Sequence, residues 1–230
     1  MATGDALDRL IDRLTAAAWP EDADVAALRQ ARDRAVPWLV DRLAREPRAL
    51  RRRRLCDALA DLVADTPALL APYLQAPSWY LARNLAYVLG ELRRPEGVPH
   101  LAALARHEEP RVRREVVDAL RKIGGSAARE ALVAFLDDPD GRIRRHAIDA
   151  LDAVYDGRAA ARLVALLRSA DFSPEGVALK EAAAAALARM GAPEAKPVLE
   201  AVARGWTLGR ARRRVQHAAR GVLTETYSSR

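Results

Sequence analysis

The sequence predicts an all-α fold, a right-handed superhelix of about six stacked helical hairpins behind an N-terminal helical cap. Three observations predict it. Residues 94–124 and 125–156 map onto one another with a shift of 31 residues. The shift pairs Val112 with Ile143, Arg113 with Arg144, Arg114 with Arg145, and Ala119-Leu120 with Ala150-Leu151. It also pairs Leu101 with Leu132 and Leu104 with Phe135, and a fixed period of this size marks stacked hairpins. Second, half of the residues are apolar but aromatics supply only 5%, so alanine and leucine must fill the core, which suits close helix packing. Third, no segment alternates as a strand would.

The elements follow in order. Residues 5–17 read as a helix through Leu7, Leu10, Ile11 and Leu14, closed by Trp19-Pro20. A second helix runs from about Asp24 to Arg32, and residues 1–33 together cap the array with a polar outer face. Residues 34–191 hold repeats one to five. Repeat one, about Arg34 to Ala64, opens on Val36-Pro37, and its second helix carries Leu55, Leu59 and Leu62. Repeat two, about Asp65 to Arg93, carries Leu70, Tyr73 and Leu74, then the stripe Leu81, Leu85, Val88, Leu89 and Leu92. Repeats three and four are the doublet. There Val112, Val116, Ala119, Leu120 and Ile123 form one apolar face, and Gly124-Gly125 stops the helix. Repeat five, about Gly157 to Gly191, is longer by an insertion at 169–176, which reads either as a surface insertion or as a contact loop. Residues 192–230 read as an irregular basic repeat and tail, interrupted by Gly205 and Gly209, with Thr226 to Arg230 frayed.

The run Asp137-Asp138-Pro139-Asp140-Gly141-Arg142-Ile143-Arg144-Arg145, followed by Ala150-Leu151, resembles the HEAT repeats, most closely their short phycobilisome-lyase-like subclass. The resemblance implies the fold rather than a function, because the family includes scaffolds, enzymes and nucleic-acid binders. Deoxyhypusine hydroxylases, built of such repeats, use several His-Glu pairs for iron. This chain has one, His107-Glu108, so that activity does not carry over. HEAT-like alkylpurine DNA glycosylases use concave tryptophans with an aspartate. Trp79-Tyr80-Leu81-Ala82-Arg83 is similar to one of their helices, but no Trp-Trp-Asp cluster matches. A phycobilin lyase role would rest on the repeat resemblance alone.

Composition narrows the function classes. The lone Cys56 excludes an internal disulfide framework and reads as a small core residue in a reducing compartment, with the cytoplasm the expected location. No stretch reads as a signal peptide or reaches membrane-spanning length. His100, His107, His146 and His217 show no ligand spacing, so no metal, cofactor or catalytic residue is expected. Net charge is +7, and its placement is uneven. Residues 204–230 hold seven arginines and one acid, leaving 31 bases against 30 acids elsewhere.

The second helix of each repeat is expected to line the concave side. One column there reads Arg53, Arg83, Arg114, Arg145, Glu181, Arg214, and the position four residues on reads Asp57, Tyr87, Asp118, Asp149, Ala185, Ala218. Residues four apart are neighbours on a helix, so three arginines face an aspartate of their own helix. Such pairs form either a solvated ladder or a row of forks for carboxylate or phosphate. Trp79, Tyr80, Arg83 and Tyr87 of repeat two, with Arg114 and Arg145, are the candidate contacts for a protein partner, since Trp, Tyr and Arg dominate binding anchors. Arg210, Arg212, Arg213 and Arg214 with Trp206 nearby are candidates for a nucleic acid or an acidic partner. The reading is a monomeric, non-catalytic scaffold or adaptor. The alternatives are a nucleic-acid binder using the C-terminal arginines and, third, a DNA-base glycosylase.

Overall fold

The computed structural model describes residues 8–13, 22–76, 78–151, 154–205 and 209–227, and among these every regular element is helical. Residues 8–13 form a helical segment, and Leu10 and Ile11 are buried in it. The remainder of the first expected helix, with Trp19-Pro20, lies outside the described residues. Helix α1 spans Asp22–Gln30 and α2 spans Arg32–Arg45. Helix α2 therefore begins before Val36-Pro37, and Pro37 lies inside it. It pairs with α3, Ala49–Val63, as the first hairpin.

The second hairpin joins a 3-10 segment, Pro67–Tyr73, to α4, Trp79–Leu92. Pro67 opens that segment, where a missing donor costs nothing, and Pro72 removes one donor inside it. The third hairpin joins a 3-10 turn, Pro95–Gly97, and α5, Val98–Ala103, to α6, Pro110–Ile123. The fourth joins α7, Gly125–Ala134, and a 3-10 turn, Phe135–Asp137, to α8, Gly141–Ala150. The fifth joins α9, Gly157–Arg168, to α10, Pro174–Arg189. The sixth, expected to be irregular, is a full hairpin of α11, Ala195–Arg204, and α12, Arg210–Tyr227. Gly205 and Gly209 lie in its turn and do not break a helix; Gly209 has φ +105°.

The chain forms two compact units, residues 1–123 and 124–230. The repeat pattern alone does not predict this division. It falls where Gly124 and Gly125 both take positive φ, +66° and +80°, conformations that other L-residues avoid.

Each unit is held by leucine and alanine. In the first, Leu39, Leu43, Leu55, Leu59, Leu85, Leu89, Val116 and Leu120 are fully buried. Helices α4 and α6 approach so closely that a Cβ on Gly90 would stand 2.7 Å from the Ala119 Cα. In the second unit, Ala183, Ala186, Leu187 and Leu199 are fully buried. Small side chains let the helix axes draw together, which is why so alanine-rich a chain packs without many aromatics.

The turns inside the hairpins repeat one device. A side-chain acceptor takes the N–H two residues on: Glu46 from Arg48 at 2.9 Å, His107 from Glu109 at 3.0 Å, Asp138 from Asp140 at 2.8 Å, Asp171 from Ser173 at 2.9 Å. A base near the start of the following helix then reaches back to the turn carbonyls. Arg52 donates to the Pro47 carbonyl at 2.6 Å, and Arg113 to those of His107 and Glu108 at 2.8 and 3.0 Å. Arg144 donates to the Asp138 carbonyl at 2.7 Å. These are charge-assisted bonds, each worth about 1.5–3 kcal/mol when shielded. The identity of Arg113 with Arg144 across the doublet thus records a backbone clasp. The second hairpin has Ala82 at that position and lacks the clasp.

Candidate functional site

Helices α3, α4 and α6 form a wall of the first unit, and the residues singled out in repeat two lie in it. Ser78 caps α4 by accepting from the Leu81 N–H at 3.3 Å, which sets Trp79 and Tyr80 at the first turn. The two rings meet edge-on, with centroids 5.8 Å apart. Arg111 of α6 lies over Trp79 at 5.3 Å, and Arg52 of α3 lies over Tyr80 at 5.1 Å. Two turns along, Tyr87 is held between Arg53 at 5.0 Å and Lys122 at 4.7 Å. Burial, then the neighbouring Glu91, pushes the Tyr87 hydroxyl above the usual phenol range. All three rings are half-buried. The structure therefore uses them first to tie three consecutive second helices together.

The acid groups complete this lattice. Arg83 pairs with Glu115 of α6 at 3.1 Å, and the Glu115 side chain is only 11% exposed. Burial raises the Glu115 carboxyl above its ordinary range despite Arg83. Lys122 pairs with Glu91 at 2.7 Å, and that hydrogen bond holds Glu91 below the usual carboxylate range. Sequence reasoning expected own-helix partners. Arg53 has one in Asp57 at 3.2 Å, and Arg145 has one in Asp149 at 3.0 Å. Arg83, for which the column offered Tyr87 and no acid, crosses to Glu115 of the next helix. Arg114 is exposed and makes no ion pair among the described residues, while Asp118 pairs with Arg121 at 3.7 Å. Helix α6 carries Arg111, Arg113, Arg114, Arg121 and Lys122 against Glu115 and Asp118, so this wall is more basic than the chain as a whole.

Cys56 sits in the core of α3, and burial pushes its thiol up to about 12, far from a nucleophile's range. His107 is one of the turn acceptors, so its Nδ1 is already engaged by the Glu109 N–H. Among the described residues no group of three or more His, Cys, Asp or Glu side chains could hold a metal ion. No helix there is long and apolar enough to cross a membrane.

In the second unit, Arg145 also reaches the Ala178 carbonyl at 3.4 Å. Of the C-terminal candidates, Trp206 lies outside the described residues. Arg212 lies over Phe172 at 4.8 Å, and Arg214 is gripped by Glu181 at 3.1 and 2.9 Å. Arg220 donates to the Ala203 carbonyl at 3.3 and 3.1 Å. The 169–176 insertion is mostly exposed, but two of its residues engage a buried lysine. Its Ser169 carbonyl and hydroxyl accept from Lys180 at 2.6 and 2.9 Å, and Phe172 covers that ammonium at 5.1 Å. Lys180 also takes the last carbonyls of α9, those of Leu166 and Leu167, at 2.9 and 3.0 Å. Sequence reasoning missed this buried lysine. Its one signal was position, since Lys180 stands in the repeat column of Arg113 and Arg144.

Comparison with known proteins gives one curated relative of note. Over 124 residues the chain is 40% identical to deoxyhypusine hydroxylase from Homo sapiens, a match covering 52% of this chain and 37% of that protein. The chain thus spans well under half the length of that relative. Two solved structures are similar in fold. Human deoxyhypusine hydroxylase in complex with glycerol superposes with a TM-score of 0.48 at 22% identity, covering 98% of this chain and 90% of that one. The complex of CpcE and CpcF of phycocyanin lyase from Nostoc sp. superposes with a TM-score of 0.39 at 20% identity, covering 97% and 96%. The family model for HEAT repeats matches residues 66–152 and again 130–220, and the chain belongs to the HEAT-repeat family.

Proposed function

We propose that the chain is a non-catalytic scaffold that holds an acidic protein segment against α3, α4 and α6. One observation carries this reading. Arg53, Arg83 and Arg114 recur one period apart on three helices already cross-tied by Tyr80, Tyr87 and Trp79. A surface fixed before the partner arrives loses little freedom on binding. The basic surplus of α6 favours carboxylates in the partner. Hydroxylation of the kind named in the human relative finds no support in the residues. The single His-Glu pair is tied up in a turn, and the described residues gather no metal-ligand cluster.

Affinity capture on the immobilised full chain tests the reading. A partner held by wild type is expected to be lost from Arg114→Glu, whose melting temperature stays within a degree or so of wild type, as exposed-site changes do. Equal capture by Arg114→Glu overturns the assignment. Arg83→Glu is the wrong probe, although the sequence favours it. It would face the half-hidden Glu115 with a second carboxylate, and it is expected to lower the melting temperature.

A further inference from the structure

Helix α12 carries five arginines in its first three turns, and three of them are spent inside the unit. Arg212 lies on Phe172, Arg214 is held by Glu181, and Arg220 takes the Ala203 carbonyl. Arg210 and Arg213 are exposed, and their side chains make no hydrogen bond or ion pair among the described residues. With Arg214 and His217 they fall at positions i, i+3, i+4 and i+7, one face of the helix. That face borders an open cavity of about 320 Å³ lined by Glu181, Arg213, Arg214, His217 and Ala218.

The neighbouring helix supplies a low floor. Helix α10 presents half-buried Ala178 and Ala185 on the side of Glu181, and Arg145 from α8 bounds it on the other flank, at the Ala178 carbonyl. The cavity and this alanine stripe together outline a shallow trough, with Arg210, Arg213 and Arg214 on one bank and Arg145, paired with Asp149, on the other. Like charges crowded on one helix face repel one another, and carboxylates laid along them relieve that repulsion. Glu181 does not oppose an anion strongly, because Arg214 already grips both its oxygens.

We propose that this trough binds an acidic polypeptide segment with carboxylates spaced by about one helical turn. Single-stranded nucleic acid is the weaker fit, since such strands are held by open aromatic platforms as well as by charge. Phe172, the ring that Arg212 of the same helix lies over, is covered by Lys180 as well. The site is built from residues of the second unit alone and uses none of those in the α3, α4 and α6 wall.

Fluorescence anisotropy at low salt, on the full chain, tests the proposal. The probe is a labelled helical peptide with glutamates at i, i+3, i+4 and i+7, beside a single-stranded oligonucleotide of equal net charge. Wild type is expected to bind the peptide more tightly than the oligonucleotide. The double change Arg210→Glu with Arg213→Glu is expected to weaken peptide binding by about tenfold, with an unchanged melting temperature. Arg168→Glu, at the end of α9 and outside the cavity's lining, is expected to bind as wild type does. No peptide binding by wild type, equal binding by the double variant, or an equal loss on Arg168→Glu overturns the trough. Tighter binding of the oligonucleotide overturns the acidic polypeptide as its occupant.

Discussion

Lys180 is the most buried charged side chain described, at 1% exposure, and its fate follows from its neighbours. A lysine ammonium has three donors, and here three carbonyls and a hydroxyl surround it. Desolvation lowers its pKa from the ordinary lysine value, yet a cation at a helix C-terminus is well placed for the helix dipole. Lys180→Met keeps the bulk and removes every donor. It is expected to cost about 2–4 kcal/mol in a denaturant melt, chiefly by taking their donor from the Leu167 and Ser169 carbonyls, since Leu166 keeps the Ser169 N–H. Unchanged stability would mean those carbonyls find water once the lysine is gone. His107 makes the same point in a milder way. A residue that looks like half of a metal pair is a turn acceptor, doing in the third hairpin what Asp138 does in the fourth.

At the scale of elements, the contact of α4 with α6 turns on one missing methyl. A Cβ at position 90 would meet the Ala119 backbone at 2.7 Å and its Cβ at 2.8 Å, and neither atom can swing aside. Alanine normally favours a helix over glycine by roughly 1 kcal/mol, so propensity alone would make Gly90→Ala stabilising. Overpacking costs about 1–3 kcal/mol and is expected to win, so Gly90→Ala should lower the melting temperature. A rise would show that the two helices can part without loss. The sequence offered Gly90 no special role, because glycine inside a helix reads as a defect until the neighbouring helix is seen.

Across the whole molecule, the period carried most of the architecture. The 31-residue shift finds the doublet, the apolar stripes on either side extend it along the chain, and the cores hold the leucines and valines that the helical spacing picked out. It did not reveal that Arg83 crosses to Glu115, that the insertion folds over Lys180, or that the chain parts at Gly124, because each depends on side-chain reach or backbone sign between repeats. Stability should also carry a mixed response to acid. Glu91, held low by Lys122, contributes stability that is present above the ordinary glutamate range and is lost as pH falls through its lowered value. Glu115, held high by burial, acts in the opposite sense, costing stability as pH rises from the ordinary range through its raised value. Glu91→Gln is therefore expected to be less stable than wild type at neutral pH, by at most about 1 kcal/mol. That gap should close on acidification. Thermal melts of both proteins across the carboxylate range decide it, and a gap that persists in acid would remove Glu91 as its source.

The clasp at the hairpin turns has one more implication. Acceptor, N–H and arginine all come from a single hairpin: in the fourth, Asp138, Asp140 and Arg144. The bonds to the turn itself are all internal, although Arg144 also reaches Glu175 of the next hairpin with its other nitrogen. Each such segment is in that sense a cassette. A gene duplication in frame with the period would deliver a new corner already secured, and the array could lengthen or shorten over evolutionary time without any neighbour having to be reinvented.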